Sequence, residues 1–296
     1  MFTSMPLCVL LVVAVLGTSL GLRGSGEMEP QVRPPASLRL YVFDCGTLEG
    51  DPARFNLKRE EMATTDMSIG CYLVVHPKGT LMWDTGAVRD RDVTSESQRA
   101  RYHIVLTNTE RYVTLTKSLK SQLAAAGYAP RDVTHLALSH YHWDHTANSN
   151  DLAGATWLVR QVERDAMFAE NPPDLIRRET FDQLRNAKTL IIKTDDHDVF
   201  GDGSVVIKWA PGHTPGHQTL FVKLARTGPV LLSGDLYHYP EERKLDRVPT
   251  FEFNPDQTRR TRAATDVFLK NSRAMLWIQH DFNAMAALKR APAFYE

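Results

Sequence analysis

The chain has 296 residues with 35 basic and 35 acidic side chains, so its formal net charge is zero. No basic stripe or tail argues for a nucleic-acid or anionic-membrane partner. A hydrophobic share of 43% is that of an ordinary globular protein. Strand-like runs recur along the chain without an evident linker, which favours one main domain.

Leu7 to Leu16 is an uncharged apolar run followed by Gly17, Thr18 and Ser19. It has the length of a signal-peptide core and falls short of the ~20 residues of a spanning helix. Its n-region carries no Lys or Arg. The reading is a signal peptide over residues 1–21, a Gly- and Pro-rich leader over 22–37, and the main domain over 38–296. A secreted or periplasmic location follows, with no stable membrane insertion once the signal is removed. Cys8 lies inside the apolar run without lipobox-like surroundings.

The first strand is expected at Leu38 to Phe43. Cys71 to His76 and Thr80 to Trp83 flank Pro77-Lys78-Gly79 and read as a hairpin. Arg89 to Val113 is polar and weakly periodic. Leu115, Leu119 and Leu123 recur every four residues before Gly127, the pattern of an amphipathic helix with a glycine stop. Strands are expected at Val133 to Ser139 and Thr156 to Arg160. Val162 to Glu170 and Leu175 to Leu184 read as helical, separated by Asn171-Pro172-Pro173. Strands follow at Leu190 to Lys193, Val205 to Trp209, Leu220 to Leu224 and Val230 to Ser233. Pro255-Asp256 opens a helix, and Met275 to Ile278 is the last strand. Two sheets flanked by helices fit this order.

The densest chemistry is His140-Tyr141-His142-Trp143-Asp144-His145, directly after the apolar Leu136-Ala137-Leu138. Imidazole and carboxylate together suit zinc and its first-row neighbours. At a strand end, residues i and i+2 face one side, so His140 and His142 can grip one metal. A turn after them carries Asp144 and His145 toward a second. Further candidates end apolar strands: His213 after Val205 to Trp209, Asp235 after Val230 to Ser233, and His280 after Met275 to Ile278. Seven donors exceed what one site needs, and catalytic sites keep a position open for water.

These motifs resemble the metallo-β-lactamase superfamily: the HxHxDH run, Gly212-His213-Thr214-Pro215-Gly216-His217, Ser233-Gly234-Asp235 and the late His280. Trp83-Asp84-Thr85-Gly86 resembles its early aspartate motif. The closest likeness is to its N-acyl-homoserine lactonases, from about Leu38 onward, through Cys71-Tyr72-Leu73-Val74, Ala125 to Pro130 and Pro215 to Phe221. The resemblance implies an α+β fold, a four-layer αββα sandwich. It assigns His140, His142 and His213 to one zinc ion, Asp144, His145 and His280 to another, and Asp235 to a bridge. It implies opening of an acyl lactone by a hydroxide that the two Zn2+ ions generate, with Asp144 passing a proton to the leaving alkoxide. Asp84 is read as orienting a ligand histidine. His217 is read as structural, and His76, His103, His135 and His197 as ordinary surface or core residues. In this family an insert such as 89–113 flanks the site or an oligomer contact, which allows a homodimer.

One position departs from the pattern. Three residues after the bridging aspartate, where the lactonases usually have tyrosine, stands His238 between Tyr237 and Tyr239. Imidazole can donate the same hydrogen bond to the substrate carbonyl. Trp143, Met67 and Ile69 are expected to wall the acyl tail. Cys45 and Cys71 adjoin strands that the resemblance places in the core, so buried free thiols are expected, with pairing as the alternative in an exported protein.

The rivals are a thioesterase of the glyoxalase II type, a β-lactamase and a non-catalytic metal-binding protein. The short stretch after His280, the lactonase-like residues around Cys71 and Gln218, and the intact ligand set argue against them in turn.

Overall fold

Alternation along the first strand sets the layers. In β1 (Arg39–Glu49), Leu40 and Val42 turn toward one buried cluster and Tyr41 and Phe43 toward another, as the period of two requires. The computed structural model describes residues 1–2 and 35–296. The signal-like run and nearly all of the leader therefore lie outside the described residues. From Pro35 onward the described residues belong to one compact unit.

The first half of the chain builds β2 (Asp66–His76), β3 (Gly79–Trp83), β4 (Ala100–Val105), β5 (Glu110–Leu115), α1 (Leu119–Ala125), β6 (His135–Ala137), α2 (Trp143–Thr146), β7 (Thr156–Val159) and α3 (Gln161–Met167). Then come β8 (Thr189–Ile191), β9 (Asp196–Asp198), β10 (Val205–Trp209), β11 (Gln218–Leu224), β12 (Gly228–Leu232), α4 (Pro240–Leu245), α5 (Pro255–Ser272), β13 (Met275–Trp277), α6 (Phe282–Ala286) and β14 (Phe294–Tyr295). One sheet runs β4-β5-β1-β2-β3-β6-β7-β8, with β14 also on β1; the other runs β13-β12-β11-β10-β9. β3, β6, β7 and β8 are parallel to one another, and β13 is parallel to β12. A parallel pair places successive strand ends at one edge of its sheet, which is where loops carry function.

Between the sheets lie Leu40, Val42, Leu81 and Trp83 from the first and Val205, Ile207, Leu220 and Val230 from the second. The other face of the first sheet buries Phe43, Leu73 and Trp157 with Leu119 and Leu123 of α1 and Met167 of α3. On the second sheet Phe221 meets Phe268 of α5 edge-to-face at 5.3 Å. Helix, sheet, sheet and helix give the expected α+β, four-layer order.

Three local expectations are corrected. Leu115 ends β5 rather than starting a helix; α1 begins at Leu119, where the Ser118 side chain accepts the Ser121 N–H at 3.1 Å as an N-cap. The polar stretch 89–113 is largely the β4–β5 hairpin, whose one-sided burial is too weak a signal in sequence. Leu175 to Leu184 holds only two short 3-10 turns, Arg178–Thr180 and Asp182–Asn186, because Phe181 between them leaves helical geometry.

Cys45 and Cys71 form a disulfide across β1 and β2, which corrects the free-thiol expectation. The register slips between Asp44 and Thr47. Cys45, at the slip, faces the same buried cluster as Cys71, and their Cα atoms lie 6.0 Å apart. Among the described residues no helix is long and apolar enough to cross a membrane.

Candidate metal centre and active site

The parallel strands deliver their ends to one place. His140 and His142 follow β6, α2 carries Asp144 and His145, His213 follows β10, Asp235 follows β12 and His280 follows β13. All seven side chains are buried. They form two groups: His140, His142, His213 and Asp235, and Asp144, His145 and His280. Within each group the candidate ligand atoms lie within 4.8 Å of one another.

Asp235 faces both groups. Its Oδ1 lies 3.1 Å from Nε2 of His145 and 3.0 Å from Nε2 of His280. Its Oδ2 lies 3.5 Å from Nε2 of His140 and 3.4 Å from Nε2 of His213. The close approaches are not aligned hydrogen bonds: Nε2 of His140, His145 and His280 and Oδ1 of Asp235 are buried without a hydrogen-bond partner. Orphaned buried donors and acceptors are costly, and here they converge. The outer nitrogens, by contrast, are engaged. Nδ1 of His145 meets Asp84 at 2.9 Å, Nδ1 of His280 meets the Ser68 carbonyl at 2.7 Å, and Nδ1 of His213 meets Glu252 at 2.7 Å. Nδ1 of His140 meets the Ser139 hydroxyl at 3.0 Å. Holding the proton on Nδ1 leaves Nε2 free to ligate. Burial and the neighbouring histidines hold His140 and His142 well below the usual imidazole pKa, in the neutral, ligating form. Five imidazoles and two carboxylates arranged this way fit two Zn2+ ions.

Residues the sequence reading singled out fall as follows. Asp84, in a left-handed conformation at φ 58°, reaches His145 and also accepts the Ser139 N–H at 2.6 Å. His217 is in neither group; its Nε2 accepts the Asp235 N–H and its Nδ1 meets the Ala210 carbonyl, both at 2.9 Å. Burial lowers its pKa to about 4, which keeps the imidazole able to donate and accept at once. Gly234 permits this approach, since a Cβ there would stand 2.6 Å from that Nε2. His238 sits beside the cluster, with Nε2 3.2 Å from Oδ2 of Asp235 and Nδ1 3.2 Å from Oε1 of Glu242. His76, His103, His135 and His197 join neither group.

Sequence reasoning missed three carboxylates. Glu252 orients His213. Glu242 braces His238 and is itself paired with Arg262 at 2.7 Å. Glu163, fully inside α3, accepts the Tyr141 N–H at 2.9 Å, the Gly216 N–H at 2.8 Å and the Thr214 hydroxyl at 2.8 Å. It therefore ties the loop of His140 and His142 to the loop of His213. No local pattern marks any of them; the single weak clue is an acidic residue inside an otherwise amphipathic helix.

A cavity of about 270 Å³ opens onto His142, Asp144, Asp235 and His238. Trp143, Met67 and Phe55 contribute apolar wall. Ile69 does not: it lies in the core below, beside Cys71 and Leu73. Met67 and Ile69 share a face by strand period, but only Met67 stands far enough along β2 to reach the opening.

The profile of the metallo-beta-lactamase superfamily matches residues 64–275. The chain belongs to the metallo-beta-lactamase superfamily. Within this superfamily it is 27% identical over 265 residues to the N-acyl homoserine lactonase AttM of Rhizobium radiobacter, covering 87% of this chain and 98% of that protein. The fold matches, with a TM-score of 0.70 and 22% identity, an N-acyl homoserine lactone hydrolase holding N-hexanoyl-L-homoserine at its catalytic metal centre; 87% of this chain and 99% of that one are covered. It also matches the dizinc quorum-quenching lactonase AidC, with a TM-score of 0.60 and 18% identity over 88% of this chain and 94% of that one.

Proposed function

We propose that this metallo-beta-lactamase superfamily protein opens the lactone ring of N-acyl homoserine lactones. The observation that carries the reading is Asp235 set between two ligand groups at the floor of a partly apolar cavity. The full-length relatedness to N-acyl homoserine lactonases supports the substrate class. When bound, two zinc ions would supply a water of lowered pKa and a Lewis acid for the carbonyl.

The chain's own residues do the rest. Asp144 lines the cavity, with its oxygens 3.8 Å from Nε2 of His145 and 3.7 Å from Nε2 of His280. From there it can hand a proton to the ring oxygen as the carbon–oxygen bond breaks. His238 is placed to donate to the carbonyl oxygen. Burial lowers its pKa, and the Glu242 carboxylate against Nδ1 raises it, favouring the protonated ring that donates through Nε2. The product is an acyl homoserine carboxylate, and one proton is released per turnover at neutral pH.

A secreted or periplasmic location is part of the same reading. The Cys45–Cys71 disulfide supports it, since such bonds persist in oxidising compartments, as does the signal-like run at Leu7 to Leu16.

The test is a pH-stat assay of zinc-loaded protein against acyl homoserine lactones, S-lactoylglutathione and a β-lactam. Faster cleavage of the thioester or the β-lactam than of any lactone would overturn the assignment.

A further inference from the structure

A second cavity, of about 400 Å³, also reaches the metal cluster, touching His142 and His213 and running out past Leu106 and Phe253. The two cavities share Arg54, His142, Leu175 and Phe251 as walls. The Arg54 guanidinium lies over the Phe251 ring, 4.5 Å from its centroid, so these two form one continuous wall. Leu175 is the other apolar residue common to both.

Leu175 has φ 66°, a left-handed conformation that L side chains rarely adopt. Such a conformation persists where the surroundings hold it, and it tends to mark functional segments. Here the Trp143 N–H donates to the Leu175 carbonyl at 2.9 Å, tying the residue to the helix that carries Asp144 and His145. The exposed Pro172-Pro173 before it stiffens the approach. The backbone is thus held where the cavities meet, and Leu175 lines both of them. The cavity holding Asp144, Asp235 and His238 is, at about 270 Å³, smaller than the roughly 300–1,000 Å³ usual for ligand sites. A lactone ring with a long acyl tail needs more room than it offers.

We propose that the two cavities are arms of one substrate groove and that Leu175 is the specificity-determining residue at their junction. The lactone ring occupies the arm floored by Asp144, Asp235 and His238. Acyl chains too long for that arm pass Leu175 into the second, toward Leu106 and Phe253. The inference rests on the lactone reading above.

The test uses zinc-loaded full-length enzyme and two substrates, the butanoyl and dodecanoyl homoserine lactones. Leu175→Ala removes the side chain and keeps the left-handed backbone; Leu175→Gly removes both the side chain and the strain. Both should raise the dodecanoyl-to-butanoyl ratio of kcat/KM by about tenfold, mainly through KM. Phe253→Ser, at a side chain whose residue is 61% exposed and so not needed for folding, should lower that ratio. Ratios within about twofold of wild type in all three variants overturn the proposal. A change in Leu175→Gly alone also overturns it, because the backbone and not the side chain would then be responsible. Wild-type protein that opens no lactone overturns the function reading together with this inference. A flat ratio in an active series overturns this inference alone.

Discussion

Asp84 and His145 form a pair that is wholly buried: Oδ2 of Asp84 lies 2.9 Å from Nδ1 of His145. The same carboxylate accepts the Gln279 side-chain N–H at 2.8 Å. It therefore fixes both the tautomer and the tilt of one ligand ring. Asp84→Asn keeps the shape and tolerates the left-handed backbone. It is expected to weaken metal retention about 10–100-fold with little change in the circular dichroism spectrum. Competition with a chromophoric chelator measures this, and wild-type retention would remove Asp84 from the role.

Glu163 satisfies two backbone N–H groups and a hydroxyl from two different loops. Glu163→Gln must turn an amide N–H toward one of those donors. A buried donor left unpaired costs about 1–3 kcal/mol, so the urea midpoint should fall correspondingly. An unchanged midpoint would mean the two loops are held together by something else.

For His238 the expectation separates chemistry from ligation. His238→Ala should retain both metals yet lose on the order of 10²-fold in kcat, as loss of one donor to a developing oxyanion does. His238→Tyr should keep most of the activity, because a phenol also donates. Lactone kinetics unchanged in a fully metallated His238→Ala protein would exclude the residue from the reaction.

The disulfide gives a stability prediction. Cys45 and Cys71 are 26 residues apart, and closing a loop of that size stabilises by about 3.5 kcal/mol. The Cys45→Ala, Cys71→Ala double variant should unfold at correspondingly lower urea. Peptide mapping of unreduced protein should find the two cysteines in one cross-linked fragment. Two separately alkylated peptides would contradict the pairing.

Asp90 supplies a pH dependence away from the metals. Burial raises its pKa, the N–H groups of Lys120 and Leu119 oppose this, and Asp151 and Glu96 add to it, giving about 6 against an ordinary 3.8. Between those values the folded chain holds a proton that the unfolded chain has released. Stability therefore falls as pH rises through that window, by on the order of 2–3 kcal/mol. Asp90→Asn should flatten this slope in urea titrations from pH 4 to 6. Parallel wild-type and variant curves would show that Asp90 titrates normally.

Much of the site is legible in the residues themselves because its ligands obey local rules. His140, His142, Asp144 and His145 sit in one run, and His213, Asp235 and His280 each follow an apolar strand. Strand ends are where a layered fold exposes side chains. The β2–β3 hairpin and the Leu119–Leu123 face of α1 were legible for the same reason: their periods are short.

What only the tertiary structure decided involves partners far apart in sequence. Glu252 reaches His213 across 39 positions and Glu163 reaches Thr214 across 51, and no spacing rule spans such gaps. The disulfide joins residues 26 positions apart, and only the register of β1 on β2, with Phe43 opposite Cys71, brings Cys45 beside its partner. Met67 and Ile69 share a face in sequence and part company only because one lies at the cavity and the other beneath it. Leu175 has a left-handed backbone, and its carbonyl accepts the Trp143 N–H from a segment 32 positions away. Ligand identity is a property of short stretches of chain. The orientation of those ligands, and the shape of the space above them, arise from packing between distant segments.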